Sequence, residues 1–521
     1  MGIYLNPGAG AFEEAINSKI YIDKTGMINF LNDCLNTQQK YVCVSRPRRF
    51  GKSTAANMIS AYYDKSVDGS IFNGYEISEN DGMKYQGLFN VLHLNMQNFL
   101  SRTGSMSELL EYLNKRVGRD IRKGFMDQKL SEYDSLPELM EDIYGETGDK
   151  FVVVIDEWDC IFREEKNDSD AQKMYLDFLR DWLKDKPYIA LAYMTGILPI
   201  KKYGTHSALN MFDEYSMENP GQLAEYVGFT TDEVTDLCNR YNMNLDDCRY
   251  WYDGYWFSSC GHIYNPRSIV KTMLDGTYDD YWNQTETFEA LRIYIDMNMD
   301  GLHDKVEALM AGDQVVIDTS HFQNDMTTFE DADDVLTLLI HLGYVGYDRE
   351  KSAIFIPNHE LQIEFRAAMG RDKWAGVLSA INDSTKLLAD TWNMDSDAVA
   401  SGIEKAHQET SHLQYNDENA LSYTVSLAYY AARQYYTFVR ELPTGKGFAD
   451  LTFIPRKKYP DKPAMVIELK WDQSADTAIS QIKRKQYTDA LQEYKGNILL
   501  VGISYDKQTK KHTCVIDEDM K

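Results

Sequence analysis

Tyr41-Val-Cys-Val-Ser-Arg-Pro-Arg-Arg-Phe-Gly-Lys-Ser-Thr54 is the stretch on which the fold of this chain turns. A short apolar run ends at Ser45, a turn follows, and Lys52 opens a helical stretch to Tyr63. A strand that enters a helix through such a turn presents unpaired N–H groups and a positive dipole end, which suit a phosphate. Gly51 lets the backbone come close, Lys52 brings a charge to the outer phosphate oxygens, and the Ser53 hydroxyl can ligate Mg²⁺. Arg48, Arg49, Phe50 and Thr54 complete the candidate nucleotide-binding set, with the two arginines able to neutralise phosphate charge. The usual G-x-x-x-x-G-K-[ST] pattern places glycine at position 46, where this chain has Arg46, so the loop by itself is only moderately specific.

A second stretch supplies what the loop leaves open. Phe151-Val-Val-Val-Ile-Asp-Glu157 is a near-continuous apolar run, the mark of a strand covered on both faces, and it ends in two carboxylates. In a nucleotide-hydrolysing site Asp156 would hold the Mg²⁺ shell and Glu157 would polarise the attacking water. Asn90–Asn95 and Tyr188–Met194 read as further strands, with helices expected from about Met106 to Tyr144 and from Ser169 to Leu183. Alternation of this kind predicts an α/β fold with a mostly parallel sheet. Thr195, before Gly196, reads either as a polar sensor of the terminal phosphate or as a plain Thr-Gly turn.

Bulk properties bound the rest. A chain of 521 residues has room for two to four domains. Its net charge of −27 argues against non-specific coating of nucleic acid. No apolar run reaches the length of a membrane span, and the N-terminus lacks a basic segment followed by an apolar one, so the expected location is cytoplasmic. Seven scattered cysteines with no CxxC pair point to reduced thiols rather than a zinc site. The acidity is uneven: residues 416–521 carry 16 Lys and Arg against 14 Asp and Glu, so the acidic excess lies entirely before them.

That C-terminal segment has a chemistry of its own. Asp450 stands near the start of one predicted strand, and Ala464-Met-Val-Ile-Glu-Leu-Lys470 forms another, with Glu468 and Lys470 on one face by the period of two. Carboxylates on adjacent strands make an oxygen-lined site for Mg²⁺, or for Mn²⁺ as an alternative. A lysine beside them can orient a water and offset phosphate charge. This D…ExK layout resembles the restriction-endonuclease-like core, and Gln481 with Tyr487 resembles a Q-x-x-x-x-x-Y feature of several nuclease branches. Glu418 offers a further acid, and Arg456, Lys457, Lys458, Lys483, Arg484 and Lys485 offer charge along a phosphate backbone or form an ordinary solvated surface.

Taken with Tyr21-Ile-Asp-Lys-Thr25, Ile155-Asp-Glu-Trp-Asp159, Trp251-Tyr-Asp-Gly-Tyr255 and Tyr264-Asn-Pro266, the loop Arg46-Pro-Arg-Arg-Phe-Gly-Lys-Ser53 resembles the bacterial AAA-ATPase-like family. Members commonly carry a C-terminal PD-(D/E)XK nuclease-superfamily domain, and the family form of the loop accounts for the absent first glycine. The resemblance covers most of the chain. It implies an AAA-like P-loop NTPase with a parallel sheet over residues 1–218, then a helical and winged-helix-like lid over 219–370. A helical connector over 371–415 and a restriction-endonuclease-like α/β domain over 416–521 would follow. It further implies ATP and Mg²⁺ as cofactors, nucleic acid (DNA before RNA) as the partner of the last domain, no membrane, and assembly into oligomers as an option. The catalytic set would be Glu157, Asp450, Glu468 and Lys470, with Ser53, Asp156, Asp450 and Glu468 around metal. Genome defence or mobile-element handling is a setting the resemblance suggests, and a signalling switch that binds without cutting is the alternative. Arg267 is a further phosphate-neutralising candidate in the lid, while Asp23 and Lys24 lie either near the nucleotide or in a structural role.

Overall fold

The computed structural model describes residues 2–79, 81–128, 130, 135–200, 209–282, 288–297, 299–369, 375–409, 418–444, 447–456, 459–494 and 497–519. The chain divides into two compact units: one holds residues 1–302 and 316–364, the other 303–315 and 365–521.

The first unit is built on a five-stranded, wholly parallel sheet of β1 (Tyr41–Ser45), β2 (Asn90–Asn95), β3 (Phe151–Asp156), β4 (Ile189–Gly196) and β5 (Asp213–Tyr215), in the order β2-β3-β4-β1-β5. Every residue of β1, β3 and β4 is buried. Each fully buried valine, isoleucine or leucine there adds roughly 1.5–3 kcal/mol of hydrophobic stabilisation. The helix Lys52–Tyr63 follows β1 directly and packs against β2, β3 and β4. Because β1 lies between β4 and β5, and β3 beside β4, the carboxyl ends of β1 and β3 open on one edge of the sheet, where such folds bind ligands.

The expected helix from Met106 to Tyr144 is two helices, Met106–Gly124 and Leu136–Thr147. Ser135 caps the second by accepting from the Glu138 N–H, and Pro137 in its first turn fits a helix start but not a helix interior. Beyond residue 219 the helices Thr231–Tyr241, Leu245–Tyr252 and Pro266–Asp275 appear, together with a three-stranded antiparallel sheet of Phe229–Thr230, Gly261–Tyr264 and Tyr255–Phe257. The first helix starts in a full capping box between Thr230 and Glu233. The helix Ala332–Leu342, the hairpin Gly346–Asp348 with Ala353–Phe355, and the helix His359–Ala368 follow.

Glu360 is buried beneath this region and accepts from the Ser268 hydroxyl and the N–H groups of Tyr281 and Trp282. Burial raises its carboxyl to about 8, against the downward pull of those donors. A folded value above the unfolded one favours the protonated native state, so this stabilisation is complete below about pH 4.5 and disappears as the pH rises through about 8. Between those limits wild-type stability in urea should fall by a few kcal/mol relative to Glu360→Gln, and parallel pH profiles would refute the assignment.

The second unit carries a mixed sheet of β6 (Tyr436–Thr444), β7 (Gly447–Pro455), β8 (Ala464–Trp471), β9 (Ile498–Asp506) and β10 (Lys511–Glu518), in sequence order. Only β8 and β9 run parallel, joined by the crossover helix Ala475–Lys485. Alternation along β8 sorts its side chains. Met465, Ile467 and Leu469 join the core beneath the helices Ala375–Trp392, Ser396–Glu409 and Glu418–Ala428. Ala464 and Val466 pack with Ile479 and Ile482 of the crossover helix. Glu468 and Lys470 fall on that second face, and this placement builds the C-terminal site.

Candidate nucleotide and metal sites

Gly51 heads the phosphate-loop helix in the left-handed region at φ 91°, a conformation that costs glycine nothing and a residue with a Cβ a good deal. Arg49 at φ 67° and Glu157 at φ 55° share that region without being glycine, which places strained backbone on both sides of one cleft. The cleft measures about 780 Å³ and is lined by Arg48, Arg49, Gly51, Lys52, Ser53, Thr54, Asn95, Glu157, Arg163 and Arg267 among others. Five of those side chains are cationic, which suits a polyphosphate. Lys52 is buried, with its ammonium donating to the Pro47 carbonyl at 2.9 Å. Burial lowers its proton affinity, while Glu157, Asp159 and Asp156 pull the other way.

Asp156 ends β3 with both oxygens engaged. One accepts from the Thr195 hydroxyl and the other from the Asn95 amide at 3.1 Å. A carboxylate has about four lone-pair positions, so two remain for a hydrated cation. With the exposed Ser53 hydroxyl, this donor set of hard oxygens fits Mg²⁺. Thr195 is fully buried, and its hydroxyl orients Asp156 instead of facing the cleft. Glu157 is about a quarter exposed and pairs with Arg163. Its carboxyl is raised by burial and pulled back by Lys52 and Arg163.

The remaining sequence candidates in this unit separate clearly. Asp23 accepts from Thr25 and from the Glu76 N–H, and Lys24 pairs with Glu233 at 2.6 Å while also lining the pocket beside Gly51 and Thr54. Arg46 is buried, donates to the carbonyls of Ser45 and Tyr215 at 2.9 Å, and lies over the Phe257 ring. Sequence reasoning missed the apolar pocket of about 220 Å³ beside Gly51 and Thr54, lined by Ile20, Tyr21, Ile22, Phe50, Met58, Tyr226 and Phe229 among others. It also missed Asn95 and Arg163.

In the second unit, Asp450 stands where β7 parts from β8. The paired register ends at Leu451 with Ile467, and the Asp450 carboxylate takes the Leu469 N–H at 2.8 Å in place of a backbone partner. Glu468 and Lys470 are both buried; Nζ of Lys470 lies 3.0 Å from Oε1 of Glu468 and 2.9 Å from the Leu469 carbonyl. Gln481 donates to the same Glu468 oxygen and lies 3.2 Å from the Tyr487 hydroxyl. Burial raises the Tyr487 phenol, and the charges of Glu468 and Asp450 add to that rise. Two carboxylates bracketing Leu469, with a lysine alongside, fit a divalent cation through hard oxygen donors. Of the basic candidates, Lys483 pairs with Asp517, while Arg456 and Arg484 are exposed. Lys457, Lys458 and the side chain of Glu418 lie outside the described residues. Elsewhere among the described residues, His303, Asp304 and Glu307 group on one mostly exposed helix turn.

None of the described helices is long and apolar enough to cross a membrane. No curated protein matches the chain. Among solved structures, the Walker-type ATPase PABY2304 of Pyrococcus abyssi is 13% identical at a TM-score of 0.36, covering 66% of this chain and 94% of its own. Cdc6p from Pyrobaculum aerophilum is 11% identical at 0.25, covering 69% and 96%. The Aeropyrum pernix ORC2 protein is 11% identical at 0.22, covering 66% and 92%. Residues 8–205, which hold the phosphate loop and β1 to β4, match the family described as predicted AAA-ATPase, and residues 417–514 match the PD-(D/E)XK nuclease superfamily. The chain thus joins a predicted AAA-ATPase region to a PD-(D/E)XK nuclease-superfamily region.

Proposed function

We propose that the protein binds and hydrolyses ATP in its N-terminal region and cuts nucleic acid, DNA before RNA, with its C-terminal domain. The observation that carries the reading is the cleft in which Lys52 and Ser53 meet Glu157, with the buried Asp156 at the end of β3 bonded to Asn95 of the cleft wall. In this reading Gly51 and the helix N-terminus seat the phosphates, and Lys52, Arg48, Arg49 and Arg267 neutralise them. The pocket of Ile22, Phe50, Tyr226 and Phe229 takes the purine. Glu157 accepts the proton of the attacking water as the bond to the terminal phosphorus forms and the bridging bond breaks toward ADP. Ser53 and Asp156 would hold Mg²⁺, which supplies charge neutralisation for the phosphates.

In the second domain Asp450 and Glu468 would hold Mg²⁺ or Mn²⁺, and Lys470 would orient the water that attacks a phosphodiester. The segments 1–218, 219–370, 371–415 and 416–521 serve as core, lid, connector and nuclease. We place the protein in the cytoplasm of a bacterium, where its seven unpaired thiols suit a reducing milieu, and in genome defence or mobile-element handling. A second reading is a switch that binds nucleic acid without cutting. It is favoured by the engagement of the buried Glu468 with both Lys470 and Gln481.

The deciding assay incubates the protein with single- and double-stranded DNA and RNA in Mg²⁺ or Mn²⁺, with and without ATP. Cleavage establishes the nuclease, and ATP hydrolysis without cleavage selects the switch. A related expectation concerns Thr195→Val, which keeps shape but removes the hydroxyl that orients Asp156. The Mg²⁺ concentration for half-maximal ATPase should rise about 10- to 100-fold, as when a metal ligand loses its supporting partner. An unchanged titration would detach Thr195 from the site.

A further inference from the structure

We propose that Arg163 is a phosphate-sensing side chain that changes partner, holding Glu157 while the cleft lacks a terminal phosphate and turning to that phosphate when a triphosphate binds. The inference rests on the nucleotide reading above and adds a residue and a control step to it. Arg163 sits on the short helix Cys160–Glu164 that follows β3, and its guanidinium lines the same cleft as Lys52 and Ser53. It is 7% exposed and faces two carboxylates: Nη2 hydrogen-bonds Glu157, and Nε lies 3.3 Å from Asp159 in an ion pair.

The two partners differ in how firmly they are held. Asp159 is fully buried, and the oxygen that faces Arg163 also accepts the N–H groups of Ile197 and Leu198 at 2.9 and 2.8 Å. It is fixed to the segment just past β4 and holds the guanidinium by charge rather than by a hydrogen bond. Glu157 is 23% exposed, lines the cleft, and rides on a left-handed backbone. The guanidinium can therefore pivot on its Asp159 contact and swing its Nη groups across the cleft.

A planar fork with several donors binds phosphate as readily as carboxylate, and a terminal phosphate carries more negative charge than Glu157. Transfer of the fork releases the Glu157 carboxylate at the moment when a water beside the terminal phosphorus needs an acceptor for its proton. The bond from water oxygen to phosphorus then forms, the bridging bond breaks with its electron pair on the departing diphosphate, and the proton passes to Glu157. Arg163, moved to the phosphate, offsets the charge that spreads over the phosphoryl oxygens. After hydrolysis the diphosphate leaves Arg163 nothing to hold, and it returns to Glu157. The arrangement keeps the base idle without a triphosphate.

The test measures equilibrium binding of the non-hydrolysable triphosphate AMP-PNP and of ADP, both with Mg²⁺, to the whole 521-residue chain and four variants. Arg163→Gln is expected to weaken AMP-PNP about 10- to 100-fold, the worth of a charge-assisted contact, and to leave ADP within about threefold. Glu157→Gln removes the competing carboxylate and should tighten AMP-PNP several-fold relative to ADP. Arg163→Lys, which keeps the charge but not the fork, should fall between wild type and Arg163→Gln, and carries the test if the glutamine variant is unstable. Equal weakening of both nucleotides by the Arg163 variants, or a Glu157→Gln protein with the wild-type ratio of affinities, would overturn the exchange. Lys52→Ala separates the two levels of the argument, because it should weaken both nucleotides. Wild-type protein that binds neither nucleotide would remove the nucleotide reading itself, and the exchange with it.

Discussion

Lys52→Ala protein is expected to keep its fold and to lose ATP turnover by about 10²- to 10³-fold, the usual result of deleting one preorganised charge from a phosphoryl-transfer site. The fold should survive because Lys52 makes its hydrogen bond to the Pro47 carbonyl at the head of the helix and not inside the sheet. Its burial already lowers its affinity for a proton, so an alanine removes a charge that the folded protein holds at a cost. Circular dichroism and steady-state ATPase assays together check the claim. Normal turnover in a folded variant would take the phosphate loop out of the mechanism.

The second large effect concerns the other unit. Asp450→Asn should abolish metal-dependent cleavage, a loss on the order of 10³-fold or more, because the several kcal/mol a divalent cation supplies to the transition state depend on its anionic ligands. Asparagine retains a carbonyl oxygen for the Leu469 N–H, so thermal stability should stay close to wild type. Asp450→Ala deletes the acceptor too and leaves that N–H unsatisfied, a further cost of about 1–3 kcal/mol in stability. The pair of variants thus separates loss of a ligand from loss of a strand contact. Cleavage that persists in Asp450→Asn with Mg²⁺ would mean that the reaction runs elsewhere.

The parts legible in the sequence are those whose physics is local. Val152 to Ile155 form an unbroken apolar run because a central parallel strand is covered on both faces, and Gly51-Lys52-Ser53 is a loop whose chemistry lies within a few residues. Glu468 and Lys470 share a face through a two-residue period that needs no tertiary information. The parts that stayed hidden depend on distant residues. The pocket beside Gly51 draws Ile20, Met58 and Phe229 from three separate stretches. Nothing adjacent to Thr195 announces that its hydroxyl turns toward Asp156. The strands Phe229–Thr230 and Tyr255–Phe257, like β5, are too short to show any period. Arg163 left a faint trace, since a residue four positions after Asp159 on a helix shares its face.

The position of β1 has a consequence during synthesis. Tyr41 leaves the ribosome well before its sheet partners, which are Ala192 on one side and, one residue on, Asp213 opposite Val42. A nascent chain that ends before β4 therefore holds a complete phosphate-loop sequence with no sheet to fix it. Closing so long a segment carries an entropic cost that is recovered only when β4 and β5 dock together. The apolar Val42 to Val44 edge stays uncovered until then, which makes these few residues a point for chaperone attention and for co-aggregation of stalled chains.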